Sequence, residues 1–577
     1  MSVMNWSGKV KVRSYSQEIF NQDSDLHPLL KRIFAAREVE SLQHCEYAID
    51  KLLPPDEISN LSEAAKLLCQ HIQKGNHILI FGDYDADGAT STALCIRSLT
   101  AMGHQNCTFR LPDRFVDGYG LSTGIAQKIQ QDNPDCVITV DTGIASFDGI
   151  KLLRKDGIDL VVTDHHLPSF DLPDANVIVN PNAFKESGGK NLAGVGVAFY
   201  LMLAIRKQLR TINWFENNQI KDPNLAEMLD LVAIGTVADL VPLDFNNRIL
   251  VNEGLKRIQA GFCSDGIKQL VQSSNKSLRS LTSTDIGFAI APKINAAGRL
   301  DDMTTGVYCL LAEDQNSANK LAHELHNIND LRKKVQNNMN VEALLLLEEI
   351  KTAEFSQQYG IVLFQKHWHQ GVVGIIASKI KDKTYRPCIV FAEAEDGSLK
   401  GSGRSIAGIH LRDVLDLIDK KKPGLIDKFG GHAMAAGLSL NKDNLVAFTE
   451  LFDSCIKQSV DSSCFQEIIE CDGELEIDNI TLDTAQLIRQ SGPWGQRFPL
   501  PSFVGQFDVI NQRILTDKHL KFVLKQRGIR NSIDAIAFFV DEHQLDRDFN
   551  SINIHYELDV NEYRGASNLQ LIIRDIL

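Results

Sequence analysis

The feature that most constrains the fold is an alternation of short β-branched runs with helical stretches between residues 75 and 244. The runs that predict strands are residues 77–81, 136–140, 159–163 and 176–179. Helices are predicted between them, including residues 89–102 and 143–155. Such alternation is typical of a parallel α/β sheet, in which ligands bind at the carboxyl ends of the strands. The sequence therefore predicts an α/β fold for this region.

Side chains able to bind a cation follow three of these strands directly. They are Asp83, Asp85, Asp87, Asp141, Asp164, His165 and His166. Because the carboxyl ends of parallel strands meet at one edge of a sheet, we expect these side chains to lie together. Aspartates two residues apart in GDYDADG project to the same side while the chain is extended, so at least two of the first three are expected to converge.

Three carboxylates held together repel one another, and keeping them ionised at neutral pH needs a compensating cation. GDYDADG also resembles the start of a calcium EF-hand loop. That loop requires a glutamate at its twelfth position and a preceding helix. Here the twelfth position is Leu94 and the preceding element is a predicted strand, which excludes an EF-hand.

Some of these residues have an ordinary alternative role. Asp141 alone is equally well explained as a helix N-cap, and a single histidine is more often structural than a ligand. Asp239 interrupts the apolar run IGTVADLVPL, where a carboxylate is costly unless it is paired or bound to metal. Oxygen-rich ligands with one or two imidazoles suit Mn²⁺ or Mg²⁺ better than zinc. A carboxylate shared by two ions would permit two-metal hydrolysis of phosphate esters.

The rest of the chain predicts further domains. The expected boundaries are an N-terminal extension over 1–50, a catalytic domain over 51–310, a connecting helix over 311–352, a second α/β domain over 353–460 and a C-terminal domain over 461–577. Apolar residues at three- and four-residue steps from 316 to 351 predict one long amphipathic helix, which we interpret as a bridge between two lobes. After Cys464, short strands separated by turns predict an all-β barrel or sandwich.

Composition sets few limits on the partner. The net charge of −14 counts only weakly against nucleic acid, because metal-binding carboxylates contribute to it and the local field decides binding. The 11 cysteines are scattered, without a CxxC pair, and are expected to be reduced thiols. We find no export signal and no apolar span, so we expect a cytoplasmic protein without membrane association.

Taken in order, these motifs resemble those of the DHH phosphoesterase superfamily. The matching motifs are GDYDADG, ITVDTG, TDHHLP, GTVADLVPL, INAAGRLDD, HQGVVGI, GSGRS, GGHAMAAG and the region around GPWGQRFP. The similarity spans nearly the whole chain and is greatest to the bacterial branch that degrades single-stranded DNA. One departure is Arg497-Phe498, where many members carry a glycine-asparagine pair. The resemblance implies a parallel-sheet DHH catalytic lobe, joined by a long helix to a smaller α/β DHH-associated lobe, and a C-terminal all-β OB-fold domain.

The resemblance also implies roles for individual residues. The implied metal ligands are Asp83, Asp85, Asp87, Asp141, His165 and Asp239. The implied catalytic residues are His166 beside the scissile phosphate, Arg299 on a phosphate oxygen, and Asp164. The implied DNA-binding residues are His369, Arg404, Ser405 and His432 in the second lobe and Arg513, Lys521, Lys525 and Arg527 in the terminal domain. For GGHAMAAG the alternative is tight packing of small residues. For the basic run, in which His519 and Phe522 are interleaved, the alternative is a solvated strand face.

The function implied is hydrolysis of single-stranded DNA in the 5′→3′ direction to mononucleotides, with two Mn²⁺ or Mg²⁺ ions, in DNA repair and recombination. Single-stranded-DNA-binding protein and a RecQ-type helicase are the implied partners of a monomeric enzyme. One alternative is a DHH phosphodiesterase or pyrophosphatase acting on very short oligonucleotides or cyclic dinucleotides, but such relatives generally lack the terminal β-domain. Another is a non-catalytic replication scaffold, but here each ligand position holds a competent residue.

Overall fold

The computed structural model describes residues 9–15, 25–350, 358–459, 462–516, 518–526, 532–563 and 565–577. The chain divides into two compact units. The first holds residues 11–326 and 470–577, and the second holds residues 327–469 with the start of the chain. None of the helices in the described ranges combines the length and the apolar character needed to cross a membrane.

The first unit contains the predicted parallel sheet. The first six strands are β1 (Val10–Val12), β2 (Ile78–Gly82), β3 (Cys107–Arg110), β4 (Cys136–Val140), β5 (Asp159–Thr163) and β6 (Val177–Val179). Strands β2 to β6 form one parallel sheet in the order β3-β2-β4-β5-β6. The four predicted strands are confirmed to within one residue. The edge strand β3 was not predicted, since its four residues are half exposed and lack a β-branched run.

Helices cover this sheet and build the rest of the catalytic lobe. They are α1 (Pro28–Ala35), α2 (Leu61–Lys74), α3 (Ala86–Ala101), α4 (Thr123–Asp132), α5 (Phe147–Lys155), α6 (Gly194–Thr211), α7 (Trp214–Asn217), α8 (Leu229–Ala238), α9 (Phe245–Gln259), α10 (Asp265–Gln272), α11 (Ser283–Asp285), α12 (Ala291–Leu300) and α13 (Thr304–Leu311). A π-helical turn, Ile286–Ile290, leads into α12.

Two helix boundaries differ from the prediction. Helix α3 begins at Ala86, three residues early, because the Asp85 side chain caps it. GDYDADG is therefore not an extended segment, and the argument from alternating side chains was wrong about its conformation. Helix α5 begins at Phe147 with Ser146 before it, so Asp141 is not its N-cap and that alternative is excluded.

The predicted bridging helix is confirmed as α14 (Gln315–Ile350). The second unit carries a five-stranded sheet of β7 (Ile361–Phe364), β8 (Cys388–Glu393), β9 (Leu399–Arg404), β10 (Lys428–Gly431) and β11 (Ala435–Leu440), in the order β10-β11-β9-β8-β7. Only β7 and β8 pair in parallel among the described strands of this sheet. Its helices are α15 (Val373–Thr384), α16 (Leu411–Lys421) and α17 (Leu445–Ser459).

The C-terminal region contains a closed barrel. Its elements are β12 (Ile469–Cys471), α18 (Leu482–Gln490), β13 (Phe503–Leu515), β14 (His519–Lys525), β15 (Ile533–Ala537), α19 (Glu542–Leu545), β16 (Ser551–Tyr563) and β17 (Ala566–Ile576). The barrel order β13-β14-β15-β17-β16 is that of a five-stranded Greek-key OB-fold. The prediction of an all-β region after Cys464 was wrong for residues 471–502, which contain α18 and irregular loops.

Residues 471–502 attach the barrel to the catalytic lobe. The rings of Phe34, Trp494 and Phe498 form one stack, with centroids 6.1, 6.0 and 5.1 Å apart. Arg497 adopts a left-handed backbone conformation, φ 56°, which glycine adopts without steric cost. The loop thus keeps a conformation suited to the family's glycine while Phe498 fills the core.

A buried ion pair closes the same junction. The Arg37 guanidinium donates to both carboxylate oxygens of Asp472, at 2.8 and 3.0 Å, and both side chains are 1% exposed. The backbone N–H of Ser502 also donates to Asp472. Removing one partner of such a pair leaves an uncompensated buried charge.

We therefore expect Asp472→Ala to lower the free energy of unfolding by about 3–5 kcal/mol, measured from the thermal transition of the first unit. Asp478→Ala is the matched control, because Asp478 is an exposed residue whose loss should change stability by less than about 0.5 kcal/mol. Equal transitions for the two variants would contradict a stabilising role of the pair.

Candidate metal centre

The loop after β2 turns its carboxylates inward. The Asp83 carboxylate is buried and accepts from the backbone N–H of Tyr84 at 2.8 Å. Asp85 caps α3 by accepting from the N–H groups of Asp87 and Gly88 at 2.9 and 3.0 Å. A helix N-terminus favours negative charge, so the local backbone stabilises the Asp85 carboxylate.

Asp87 has a role that the sequence did not show. Its two carboxylate oxygens accept from Gly194 N–H at 2.6 Å and Val195 N–H at 2.9 Å, the first two residues of α6. Asp87 therefore anchors a second helix N-terminus at the site. A Cβ at Gly194 would lie 2.7 Å from Asp141 Oδ1, so only glycine lets the start of α6 lie this close to Asp141.

Asp141 lies at the end of β4, where the backbone takes a left-handed conformation, φ 59°. Such strain is uncommon outside glycine and concentrates at functional sites. Its Oδ1 atom is buried and accepts no hydrogen bond within the described part of the chain. That oxygen lies 3.1 Å from His165 Nε2, and His165 Nε2 lies 3.4 Å from Asp239 Oδ2.

Asp164 organises the two histidines. Its Oδ1 accepts from the N–H groups of His165 and His166, at 2.7 and 3.0 Å, and from His166 Nδ1 at 2.8 Å. Its Oδ2 accepts from Ile144 N–H at 2.9 Å, which ties the Asp141 loop to the histidine loop. Asp164 therefore positions both histidines, and its catalytic assignment stays a prediction.

Electrostatics distinguish Asp164 from the other carboxylates. Burial acts to raise the pKa of Asp164, but the hydrogen bond and the charge of His166 outweigh it and hold that pKa below its ordinary value. Burial acts to lower the pKa of His166, and the hydrogen bond and charge of Asp164 outweigh it, raising the pKa to about 9. In the metal-free chain this shift favours the imidazolium form of His166, which can donate to a phosphate oxygen.

Asp239 follows the last residue of α8 as its C-cap. The apolar run that Asp239 interrupts is thus helical only up to Ala238. A carboxylate at a helix C-terminus faces the negative end of the helix dipole, and burial and the charges of Asp87 and Asp85 raise its pKa well above the ordinary value. A cation at this position would offset both penalties.

The cation-binding side chains form three overlapping groups. In each, one ligand atom per residue lies within 4.8 Å of the others: Asp83–Asp85–Asp141, Asp141–His165–His166 and Asp87–His165–Asp239. Asp141 belongs to two groups, as the proposed bridging carboxylate requires. The oxygen-rich donor set and the unsatisfied Asp141 Oδ1 fit Mn²⁺ or Mg²⁺.

The same cluster is electrostatically unfavourable on its own. Burial, followed by the Asp85 charge, raises the pKa of Asp83 to about 8 and the pKa of Asp87 to about 7. Burial, followed by the Asp87 charge, raises the pKa of Asp141 well above its ordinary value. Protons or divalent cations must therefore neutralise the site near neutral pH.

Two aromatic residues and an arginine beside the site were not predicted. The Arg114 guanidinium lies 4.5 Å from the centroid of the Tyr84 ring. Tyr84 meets Tyr119 edge-on at 6.2 Å, and the Tyr119 hydroxyl lies 3.4 Å from the ring nitrogens of His166. Arg114 and Tyr119 follow β3, so predicting that strand would have placed both at the carboxyl edge.

Two asparagines after β6 donate hydrogen bonds to the backbone of the histidine loop. Asn180 donates to the carbonyl of His166 at 2.9 Å, and Asn182 donates to the carbonyl of His165 at 2.6 Å. They follow a predicted strand in the sequence NPN. Polar residues after a strand of a parallel sheet lie at its carboxyl edge, and this argument, which we applied to the aspartates, would have placed both asparagines there.

Arg299 lies in the last turn of α12, directly after Gly298. A Cβ at Gly298 would lie 1.9 Å from the Tyr84 carbonyl, and Asn295 accepts from Ala86 N–H at 2.8 Å. Helix α12 thus packs on the GDYDADG loop and brings Arg299 to it. Its contact with phosphate remains a prediction.

The second unit places its predicted strand-binding residues on loops and strand ends. Arg404 ends β9 and donates to Ser402 Oγ at 3.2 Å, while His432 follows β10 and is exposed. His369 Nδ1 accepts from Gly371 N–H at 3.1 Å. Ser405 is buried and donates its hydroxyl to the Ile409 carbonyl, so its side chain supports the loop and is not available to a strand as predicted.

The barrel residues divide between its two faces. Arg513 and Lys521 are cross-strand partners on β13 and β14, and Lys521 Nζ lies 2.7 Å from Asp534. Lys525 is exposed further along β14. Phe522 is fully buried inside the barrel, so its predicted place in the groove was wrong. Arg527 lies outside the described residues.

Comparisons with known proteins agree with this geometry. Residues 77–236 match the DHH family N-terminal domain, 357–458 the DHHA1 domain and 471–575 the RecJ OB domain. The chain is 45% identical over 566 residues to the single-stranded-DNA-specific exonuclease RecJ of Salmonella typhimurium, covering 98% of both chains. The crystal structure of Thermus thermophilus RecJ with Mn²⁺ is similar at a TM-score of 0.78 and 28% identity, covering 96% of this chain and 76% of that one. The corresponding Mg²⁺ complex has a TM-score of 0.72 at 26% identity, covering 96% and 74%.

The raised pKa values predict how stability depends on pH. Between the ordinary aspartate value of 3.8 and about 8, the metal-free folded chain binds protons that the unfolded chain has released. Its free energy of unfolding therefore falls as pH rises through that window. Since Mn²⁺ replaces those protons, we expect the Mn²⁺-induced rise in the thermal midpoint to be larger at about pH 8 than at about pH 6.

Thermal unfolding in EDTA and in Mn²⁺ at both pH values measures this difference. The Asp141→Asn variant is the control and should lose most of the Mn²⁺-induced rise at both. If Mn²⁺ raised the thermal midpoint by the same amount at both pH values, the replacement of protons by metal at these carboxylates would be contradicted.

Proposed function

This chain belongs to the RecJ family, and on that premise we propose that it is a metal-dependent exonuclease that hydrolyses phosphodiester bonds of single-stranded DNA and releases mononucleotides. The observation that carries this proposal is a set of three overlapping ligand groups at the carboxyl edge of the sheet, two of which share Asp141 and two of which share His165. We further propose 5′→3′ polarity, as for the single-strand exonucleases that the sequence resembles.

Five residues would hold the two divalent ions: Asp83, Asp85, Asp141, His165 and Asp239. Asp87, whose oxygens also accept from the start of α6, is proposed as a further carboxylate of the same site. When bound, the ions supply a lowered pKa for the attacking water and charge neutralisation at the phosphate. The carboxylates that the chain supplies are fixed in advance, by the α3 cap at Asp85 and by the left-handed backbone at Asp141. Preorganised charges need no rearrangement when the reaction occurs.

His166 is the residue we place against the scissile phosphate. Asp164 holds its Nδ1 at 2.8 Å. Its Nε2, which lies 3.4 Å from the Tyr119 hydroxyl, is the nitrogen that we propose donates to a phosphate oxygen or to the departing oxygen. Arg114, next to Tyr84, adds a second cationic group beside the carboxylates. Arg299 is proposed to contact the phosphate from α12.

Strand binding is assigned to both units. In the second unit His369, Arg404 and His432 are proposed to contact the strand, with Ser405 fixing the loop. In the barrel, Arg513, Lys521 and Lys525 are proposed to neutralise phosphates. A closed OB barrel is a common single-strand binder, which favours a polymer substrate over a cyclic dinucleotide.

The cellular setting follows from the same family. We propose a role in DNA repair and recombination, in the cytoplasm, as a monomer that cooperates with single-stranded-DNA-binding protein and a RecQ-type helicase.

The direct test uses single strands and duplexes labelled at the 5′ or the 3′ end, incubated with Mn²⁺, Mg²⁺ or EDTA. We expect immediate release of labelled mononucleotide only from 5′-labelled single strands with metal, because a 3′ label is retained until the strand is nearly consumed. Early release of a 3′ label would overturn the polarity, and activity in EDTA would overturn the metal requirement.

Asp164→Asn tests the role of the histidine pair. Removing the charge that orients His166 is expected to lower kcat by about 100-fold or more, while Mn²⁺ affinity stays within about threefold of the native chain because Asp164 is not a ligand. Steady-state nuclease assays and Mn²⁺ titrations measure the two effects.

The matched control is Asp171→Asn, in the exposed loop after the histidines, which should leave kcat unchanged. If Asp164→Asn lost Mn²⁺ binding and activity together, Asp164 would belong to the metal site and not to His166.

A further inference from the structure

A cavity of about 450 Å³ in the first unit is lined by none of the residues assigned above to metal or to the strand. It lies between residues 11–14, the segment after α1, strand β12 and the turn at 495–499. Its volume falls within the range of about 300–1,000 Å³ that small-molecule sites occupy. Its charged lining residues are the cations Lys11, Arg13, Arg37 and Arg497 and the anions Glu38 and Glu470. The cavity is therefore large enough for a small molecule, and its lining favours an anion.

The cations on the side of β1 outnumber the carboxylates that neutralise them. The buried Asp472 accepts from Arg37 and also from Arg13, at 3.3 Å from the latter. Glu470 lies 3.0 Å from Lys11 and 3.9 Å from Arg13. Two carboxylates thus serve three cations, so this side of the cavity keeps an uncompensated positive charge.

Arg497 adds an arginine whose charge is not used within the described part of the chain. It is exposed, and its guanidinium forms no hydrogen bond or ion pair there, not even with Glu38. Its backbone stands at φ 56° in a turn closed by two hydrogen bonds between Gly495 and Phe498, at 2.9 and 3.1 Å. Glycine would adopt this conformation without steric cost. An arginine kept in a strained turn at a cavity wall indicates a binding residue.

The walls of the cavity are held in place by the protein itself. Arg37 donates to the carbonyls of Ile33 and Pro499, each at 2.8 Å. The Gln496 carbonyl accepts from Leu243 N–H at 2.9 Å, which ties the turn to the catalytic lobe. Because these groups are already ordered, a ligand bound here immobilises little of the protein, and this preorganisation favours binding.

The chemistry of the lining favours a phosphate group. The planar guanidinium fork matches phosphate oxygens with two parallel hydrogen bonds, and the Ser14 hydroxyl lines the same cavity. A phosphomonoester carries nearly two negative charges at neutral pH, against one for a carboxylate. Of the described residues that line the cavity, none is aromatic, so the bases of a nucleic-acid strand would find no ring to stack on.

We propose that this cavity binds a small phosphorylated ligand, with Arg497 contacting the phosphate group and Lys11 and Arg13 beside it. The ligand is a free phosphomonoester, either a nucleoside monophosphate or inorganic phosphate. This inference goes beyond the proposed exonuclease function, because the cavity contains neither a metal ligand nor a residue assigned to the strand. A nucleoside monophosphate is also what the proposed reaction releases.

Calorimetric titration of the full chain in EDTA tests the site with three probes: inorganic phosphate, a nucleoside 5′-monophosphate and the same nucleoside without phosphate. We expect the first two to bind and the third not to bind. Tighter binding of the monophosphate identifies a nucleotide as the ligand, whereas equal affinities show that the phosphate group alone is recognised.

Arg497→Gly should weaken binding of both phosphates by about 10- to 150-fold, the value of a hydrogen bond to a charged group. Its thermal midpoint should stay unchanged or rise, because glycine suits φ 56°. Arg497→Lys keeps the charge without the fork and should bind with intermediate affinity. Arg279→Gly, at another exposed arginine of the first unit, is the matched control and should bind as the native chain does.

Glu470→Gln tests the charge balance in the opposite direction. Removing this carboxylate frees Lys11 and Arg13, so phosphate should bind about two- to fivefold more tightly, the value of an exposed ion pair. A variant that merely failed to fold could not show this gain.

Three results would overturn the proposal. The first is the absence of phosphate binding by the native chain at millimolar concentration. The second is native affinity in Arg497→Gly together with lost affinity in His166→Ala, which would assign the binding to the metal centre. The third is weaker binding of single-stranded DNA by Arg497→Gly with native phosphate affinity, which would assign the cavity to the strand. Because all binding is measured in EDTA, an inactive native chain would leave these results unchanged.

Discussion

The catalytic lobe depends on one electrostatic constraint, the concentration of buried carboxylates at the carboxyl edge of a parallel sheet. Burial and neighbouring carboxylates raise the pKa values of Asp83, Asp141 and Asp239. The structure offsets part of this cost with backbone N–H groups, at the α3 cap and at the start of α6. Protons or cations must neutralise the charge that remains, and this links the fold to metal-dependent chemistry.

The carboxylate of the histidine loop, at the same edge of the sheet, has its pKa shifted in the opposite direction. There a single carboxylate, Asp164, accepts four hydrogen bonds and carries a lowered pKa. Its charge keeps His166 protonated and oriented, while His165 turns toward Asp141. The two adjacent histidines therefore differ in their surroundings: His165 lies against Asp141, and His166 is held by Asp164. The environment of Asp164, and not its residue type, distinguishes it from the ligands.

Much of this site was predictable from residue types and order. Polar residues that directly follow buried β-branched runs must lie at one edge of a parallel sheet. Asp83, Asp141 and His165 could therefore be predicted from the sequence to lie close together. The rule failed where a strand was not recognised: without β3, neither Arg114 nor Tyr119 could be placed. A different prediction, that of an all-β region after Cys464, failed for residues 471–502. These residues are organised by an aromatic stack in which Phe34 contacts Trp494, far away in the sequence.

Four of the five strands of the parallel sheet, the metal-binding residue types and the long helix could be predicted from the sequence, because each depends on local periodicity or on short motifs. Contacts between distant segments decide which helix each carboxylate anchors. Asp85 accepts from N–H groups of the adjoining α3, whereas Asp87 accepts from the start of α6, more than 100 residues further along the chain. The tertiary structure also decided that Phe522 fills the barrel while Phe538 and Phe539 face solvent. Burial and backbone conformation depend on contacts between segments that are distant in the sequence, and local sequence patterns do not predict such contacts.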